Sequence, residues 1–315
     1  MRKLVKPRCN GPYIDLHKDV IASKHNTISG LPNIAKQRLL SLEADIVQRY
    51  SSFEQAVNQN TLFNLATSAT FSSYSDDLVK CYKGRTSKVK SIFKIIEKSQ
   101  DSRCLKRCPY CGTTLPRTHD HYLPESLFPE LCLHALNLIP CCGVCNSIKG
   151  NNWKNNNHRT FIYFYTDIIP TSQYLFVDLI NSRNHNVLGA RFKIIRPENI
   201  SNNIWDIIDS HYNKLNLIDR YNELVNDEIS EVADTCASHI LDGGLSISGF
   251  IDNVLHRERQ IYGLNHWRVV LMQSLSIDPY FANIVRSLFI QRTRDFVIYN
   301  ATPTNGYIYC NSRSN

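Results

Sequence analysis

Two Cys-x-x-Cys pairs constrain this chain more than any other feature: Cys108 with Cys111, and Cys142 with Cys145, separated by 30 residues. Each such turn places two sulfurs on one side of a metal ion, and two turns complete the tetrahedral shell that zinc prefers. The spacing predicts a four-cysteine structural zinc site whose long intervening loop carries other elements. Cys141 competes with Cys142, but it lies one residue too far from Cys145 for a two-residue turn. Cys104 and Cys132 are set outside the ligand set, and Cys9, Cys81, Cys236 and Cys310 read as isolated buried thiols. Two competing readings stay open at this point: four reduced cysteines with no metal, and an iron–sulfur cluster.

Eleven cysteines would suit a disulfide scaffold in a short secreted chain, but this chain has 315 residues. It begins MRKLVKPRCN, with no apolar stretch behind the basic residues, so no signal peptide is read. A reducing cytoplasm is the expected compartment, and there clustered cysteines more often bind metal. No run reaches the roughly 18 to 20 apolar residues that span a bilayer, so no membrane association is expected. The length suggests two or three packed units, and 43% hydrophobic residues suffice for their cores. A net charge of +8 fits a polyanion partner such as nucleic acid, although many soluble proteins are mildly basic. No Gly-x-x-x-x-Gly-Lys-Ser/Thr loop is present, so any nucleotide-driven step would come from another chain.

The pattern along the chain is α+β. Residues 1–30 are broken by Pro7, Gly11, Pro12 and Gly30. Apolar residues at helical spacing predict a helix over 33–57 and a second over 76–98, with Gly84 as a possible break. Asp76 and Asp77 suit the second helix's N-terminal end. Lys80, Lys83, Arg85, Lys88, Lys90, Lys94 and Lys98 make it strongly basic, either as a solvated face or as a phosphate-contacting surface. Aromatic and β-branched residues predict strands over 161–165, 174–179 and 189–195. The pattern then turns helical over 203–273, interrupted by Gly243, Gly244 and Gly249, and resumes after Pro279 as an apolar-basic segment over 282–299. Three regions follow: a mainly helical 1–100, a cysteine-bearing module over 101–160, and a strand-then-helix region over 161–315.

Inside the cysteine frame lie Asp120, His121 and Asn137, and Asn146 and Lys149 follow Cys145 closely. This order resembles the zinc-ribbon branch of the HNH endonuclease family, over about an eighth of the chain. The resemblance implies a ββα-metal core, with strands near 115–117 and 120–123 and a helix starting at Cys142 or Gly143. It implies His121 as the general base, since imidazole titrates near neutral pH and can take a proton from water. Asp120 would be a ligand of a catalytic ion, and Asn137 would fix the loop that holds the histidine. Asn146 stands where many members have the last histidine, which makes this an HNN variant. Asp120 and Asn146 both offer hard oxygen, which favours Mg²⁺ or Mn²⁺.

His119 and Lys149 are further candidates for contact with substrate phosphate, with Arg117 and Lys154 weaker ones; His134 and His158 read as structural. The expected activity is phosphodiester hydrolysis, on DNA first and RNA second, because such a site reads phosphate and not base. The layout is also loosely similar to bacterial anti-phage defence HNH proteins of the Septu and retron-associated type, which implies a regulatory partner such as an ATPase. The competing expectation is a zinc-ribbon module that binds nucleic acid or protein without catalysis.

Overall fold

The structure, a computed structural model, describes residues 1–182 and 187–301, with Ser182 and residues 295–301 described through their backbone alone. Cys310 lies outside the described residues. Among the described residues the fold is mixed α+β, mostly helical with three small two-stranded sheets. Among the described residues no helix is long and apolar enough to cross a membrane.

The N-terminal part starts with α1 (Tyr13–Ala22), then a minimal hairpin of β1 (Thr27–Ile28) and β2 (Leu31–Pro32). Helices α2 (Ile34–Ser41) and α3 (Glu43–Asn58) replace the single helix expected over 33–57. Asn33 caps α2 by accepting the Lys36 N–H at 3.1 Å, and Glu43 and Asp45 complement the first turn of α3. After α4 (Ala69–Ser73) come α5 (Ser75–Lys83) and α6 (Ser87–Lys98), separated at Gly84 as expected. In α6, Val89, Ile92 and Ile96 recur at three- and four-residue spacing and are buried, so the lysines between them face water.

Strand β3 (Thr118–His121) pairs antiparallel with β4 (Leu138–Cys141), with Asp120 opposite Ile139 and His121 opposite Leu138. Helix α7 (Gly143–Lys149) follows directly and packs on β3. The expected strand at 115–117 is therefore corrected: the partner of the Asp-His strand comes from the apolar run after Asn137. Pro116 can donate no ladder bond, whereas 138–141 supplies a buried apolar strand. The strand expected at 161–165 is also corrected. This aromatic run closes a turn in which the Thr166 and Asp167 N–H groups bond back to the Tyr163 carbonyl.

The rest of the chain holds β5 (Leu175–Ser182), β6 (Val187–Ile194), α8 (Asn202–Lys214), α9 (Leu217–Leu241), α10 (Ile247–Tyr262), α11 (Trp267–Ile277) and α12 (Pro279–Ala301). Two compact units result, and neither is one continuous stretch of sequence. The first comprises Met1–Phe176, Phe192–Tyr221 and Arg257–Val270; the second takes the remainder. The first unit's core joins the N-terminal helices to the β3–β4 region through Tyr50, Phe53, Leu78, Ile92, Tyr122 and Phe128, all buried. A buried Arg159–Asp167 pair at 2.7 Å, with Tyr122 accepting from the same guanidinium at 2.9 Å, ties residues 159–167 to the hairpin. The second unit buries Ile229, Val232, Cys236, Leu275, Phe281 and Val285, and Arg292 pairs with Asp234 at 2.7 Å.

Candidate metal centre and the pocket beside it

The two Cys-x-x-Cys turns close on each other. The Sγ atoms of Cys108, Cys111, Cys142 and Cys145 lie within 4.8 Å of one another, and all four residues are buried. A tetrahedron of about 2.3 Å zinc–sulfur bonds has edges of about 3.8 Å, and Cys111 and Cys142 stand 3.8 Å apart. The surroundings suit thiolates. The backbone N–H of Cys142 points at Cys108 Sγ (3.3 Å), that of Cys145 at Cys142 Sγ (3.4 Å), and the Arg220 guanidinium donates to Cys145 Sγ (3.4 Å). Hydrogen bonds from the neighbouring thiols draw Cys142 well down and Cys111 to about 6, whereas burial pushes Cys108 up. Gly112 is needed at the first turn: its φ is +71°, and a Cβ there would meet the His266 ring at 2.9 Å. The cluster can hold a structural metal such as zinc. Cys104, Cys132 and Cys141 stand outside it; Cys132 instead donates to the Leu78 carbonyl and Cys104 to that of Ile261. Cys81 and Cys236 are buried as expected, while Cys9 is part-exposed.

Beside the hairpin opens a pocket of about 270 Å³ lined by Tyr82, Lys83 and Arg85 together with His119, His121 and Asn146. His121 is almost buried, and its Nε2 lies 3.0 Å from the Cys132 carbonyl. A carbonyl offers no proton, so Nε2 is the donor and the neutral ring keeps its lone pair on Nδ1. Nδ1 faces Glu125 Oε2 at 3.5 Å, and Glu125 is paired with Lys83 at 3.1 Å. Burial lowers the His121 pKa, partly opposed by Glu125, so the ring is neutral around pH 7.

Alternation along β3 sends Asp120 to the opposite face, against α7. There its Oδ2 accepts from the Tyr110 hydroxyl at 2.8 Å and its Oδ1 from Lys149 Nζ at 3.0 Å. Lys149 also donates to the His121 carbonyl at 2.8 Å and is fully buried. Its expected role as a phosphate contact is thereby corrected: Asn146 and Lys149, three apart on α7, share the face packed on β3, so the ammonium points inward. Asn146 Nδ2 donates to Thr118 Oγ1 at 3.4 Å, because the Thr118 proton goes to the Cys141 carbonyl at 3.0 Å. That assignment leaves Asn146 Oδ1 as an acceptor for the pocket.

Asn137 is fully buried. Its Oδ1 accepts from the Leu123 N–H at 2.8 Å, and its Nδ2 donates to the carbonyls of Leu123 (3.0 Å) and Leu131 (3.2 Å). His119 stacks on Phe93 at 4.3 Å, and its buried Nε2 has no partner. Burial, then the charge of Arg85, lowers its pKa to about 4. Arg117 is exposed, and Lys154 caps the Phe63 carbonyl and lies over Trp153. His134 is buried with Glu54 at 3.2 Å, and His158 bonds locally to Asn155 and Arg159.

Sequence reasoning named Lys83 and Arg85 only within a basic stretch, read as a solvated face or a phosphate-contacting surface, and it missed Tyr82, Glu125 and Tyr110 as site residues. The signal available for Glu125 was its place four residues beyond His121. Among the described residues no second group of three or more His, Cys, Asp or Glu side chains converges as the cysteines do.

No protein-family model matches the chain. No solved structure matches it either. The chain is 26% identical over 131 residues to "Protein ea31" of Escherichia phage lambda. The match covers 40% of this chain and 43% of that protein, less than half of each. The relative's name states no activity, so none is carried over.

Proposed function

We propose that the chain is a metal-dependent nuclease of the HNH type, hydrolysing phosphodiester bonds of nucleic acid, DNA foremost. One observation carries the reading: a neutral His121 with its tautomer set by the Cys132 carbonyl presents Nδ1 to a basic-rimmed pocket that Asp120 and Asn146 also line. The strand–strand–helix order of β3, β4 and α7 supports it, as does the cysteine cluster at the base of the hairpin, read as a structural Zn²⁺ site.

In this reading Nδ1 takes a proton from a water whose oxygen attacks phosphorus, and the bond to the leaving sugar oxygen breaks. The Cys132 carbonyl on Nε2 takes the orienting place that a carboxylate has in a catalytic triad, and Glu125, beside Nδ1, supplies a counter-charge to the imidazolium that forms. Asn137 holds the 123–131 loop, and with it the carbonyl that fixes the His121 tautomer. Asp120 and Asn146 form a sparse set of hard oxygen donors, which suits an ion that keeps waters and takes phosphate oxygen as ligand. Mg²⁺ or Mn²⁺ bound there would polarise the phosphate and stabilise the leaving oxygen. Control by a partner such as an ATPase rests on the layout of the chain alone.

A second reading, a zinc-ribbon binding module without catalysis, is favoured by Asp120: it is 2% exposed and both its oxygens already hold donors. Cleavage of supercoiled plasmid with Mg²⁺ or Mn²⁺, beside His121→Ala and an EDTA control, separates the two. The nuclease reading expects nicked or linear product from the wild type and a loss of about 10²-fold or more in the variant. Equal products from both would sink it.

A further inference from the structure

We propose that Arg85, in the turn between α5 and α6, binds a backbone phosphate of the nucleic acid at the His121 pocket. This rests on reading that pocket as the nucleic-acid site, and it assigns part of the site to the helical lead-in, outside the cysteine-framed module.

Arg85 is one of four non-glycine residues with positive φ among the described residues, at +47°. It follows the C-terminal end of α5, where a left-handed residue is usually glycine, yet the glycine stands one position earlier at Gly84. A side-chain-bearing residue kept in this conformation stores free energy, and such strain concentrates at ligand sites. The turn aims the guanidinium over Tyr82 (4.4 Å to the ring centroid) and Phe93 (4.9 Å). Phe93 in turn stacks on His119, so one ring bridges the guanidinium and the imidazole, both of which line the pocket.

The guanidinium shares a hydrogen bond with the Tyr82 side chain, and a guanidinium has five N–H donors, so others remain for two-point bonding to phosphate oxygens. Charge pairing separates it from its neighbour. Lys83 is engaged by Glu125 at 3.1 Å, whereas no carboxylate pairs with Arg85 among the described residues. It is exposed, it lines the same pocket as His121 and Asn146, and its cationic edge has no anion.

The test is binding of a short labelled DNA duplex, and of labelled single-stranded RNA, to the full chain without added divalent ions, over a series of salt concentrations. Wild type, Arg85→Ala, Arg85→Gly and Arg85→Lys are compared, with thermal melting of each. Arg85→Gly is the decisive variant, because glycine takes a positive φ without strain and keeps the turn. Arg85→Gly and Arg85→Ala are expected to weaken binding by about tenfold and to lower the slope of log affinity against log salt by about 0.9, with the melting point of Arg85→Gly held. Arg85→Lys should restore the slope but only part of the affinity, since lysine is a point charge without the planar fork. Unchanged affinity and slope in Arg85→Gly would overturn the inference while leaving the nuclease reading intact. Wild-type binding that depends on Arg85, with no cleavage by the wild type, would uphold it and sink the nuclease reading. No binding of either nucleic acid by the wild type would overturn it.

Discussion

The cysteine cluster and the His121 pocket share one hairpin and one helix but are assembled in different ways. The cluster draws all four sulfurs from two short turns at 108–111 and 142–145, and its chemistry is complete within that frame. The pocket draws His119, His121 and Asn146 from the same frame, but its lining also takes Tyr82, Lys83 and Arg85, some 35 residues upstream. The first is a local device whose geometry follows from residue spacing. The second exists only after α5 and α6 have packed on β3 and β4. Damage to the cluster should therefore act through folding, and damage to the pocket should leave folding largely alone.

The largest effect expected is at the cluster. Cys142→Ser removes a sulfur ligand, while the serine hydroxyl can still cap α7 through the Cys145 N–H, so the loss reports on the metal site. Structural zinc sites contribute on the order of 10 kcal/mol to folding in small domains. Metal content by mass spectrometry should fall from one ion per chain, and the melting transition should drop or lose cooperativity. A variant that melts like wild type with no metal would break the comparison, since the cluster would then be four reduced thiols.

Next in size is Lys149→Met. Breaking a buried ion pair by removing one partner costs about 3–5 kcal/mol, because Asp120 would stay buried with only the Tyr110 hydroxyl. Chemical denaturation should show that loss, and Asp120→Asn combined with Lys149→Met should recover part of it. His121→Ala, a few ångströms away, should cost less, about 1–2 kcal/mol, for the Cys132 carbonyl left without its donor. An equally large loss from His121→Ala would mean that the pocket, too, is chiefly structural.

The same contrast decides what is legible in the sequence. Metal-ligand spacing is a local code, so the convergence of Cys108, Cys111, Cys142 and Cys145 follows from residue order alone. Helical periodicity marks α5 and α6 and their break at Gly84, because Val89, Ile92 and Ile96 sit on one face whatever they pack against. The partner of β3 is not legible in this way: 115–117 is adjacent in sequence, and nothing local says that the chain returns 17 residues later at Leu138. Lys149 reads as a phosphate contact from sequence because its burial depends on Asp120 across the α7–β3 interface. Arg85 reads as one of seven cations in a basic stretch. Its difference from the others is a backbone angle and two rings, which the charge pattern does not carry.

A smaller effect sits outside both sites and calibrates them. Burial holds His17 and His211 at about 4, below the usual 6.5. The unfolded chain takes those protons near pH 6.5 and the folded chain refuses them until about pH 4. Their contribution to stability is therefore whole above pH 6.5 and lost as pH falls from there to 4, on the order of 3 kcal/mol each. Denaturant midpoints at pH 7.5, 6, 5 and 4 should decline through that window, and replacing His211 with Gln should flatten part of the decline. A flat profile would mean that these rings are protonated in the fold, against their burial.

The finest distinction is at Glu125. Its carboxylate raises the His121 pKa against burial, so removing the charge with Glu125→Gln should lower it further. His121 acts as a base only when neutral, so the acid limb of the kcat/KM profile should move to lower pH. The plateau above it should also fall, because the imidazolium formed during proton transfer loses its counter-charge. These two shifts run in opposite directions at acid pH, which separates an electrostatic role from a structural one. If Glu125→Gln lowered activity evenly at every pH, Glu125 would matter for holding Lys83 and the α5 end of the pocket. If the limb moved, the residue four positions beyond His121 would belong to the chemistry. The pocket would then carry a local element of its own, as the cysteine cluster does, beneath the tertiary assembly that supplies Arg85.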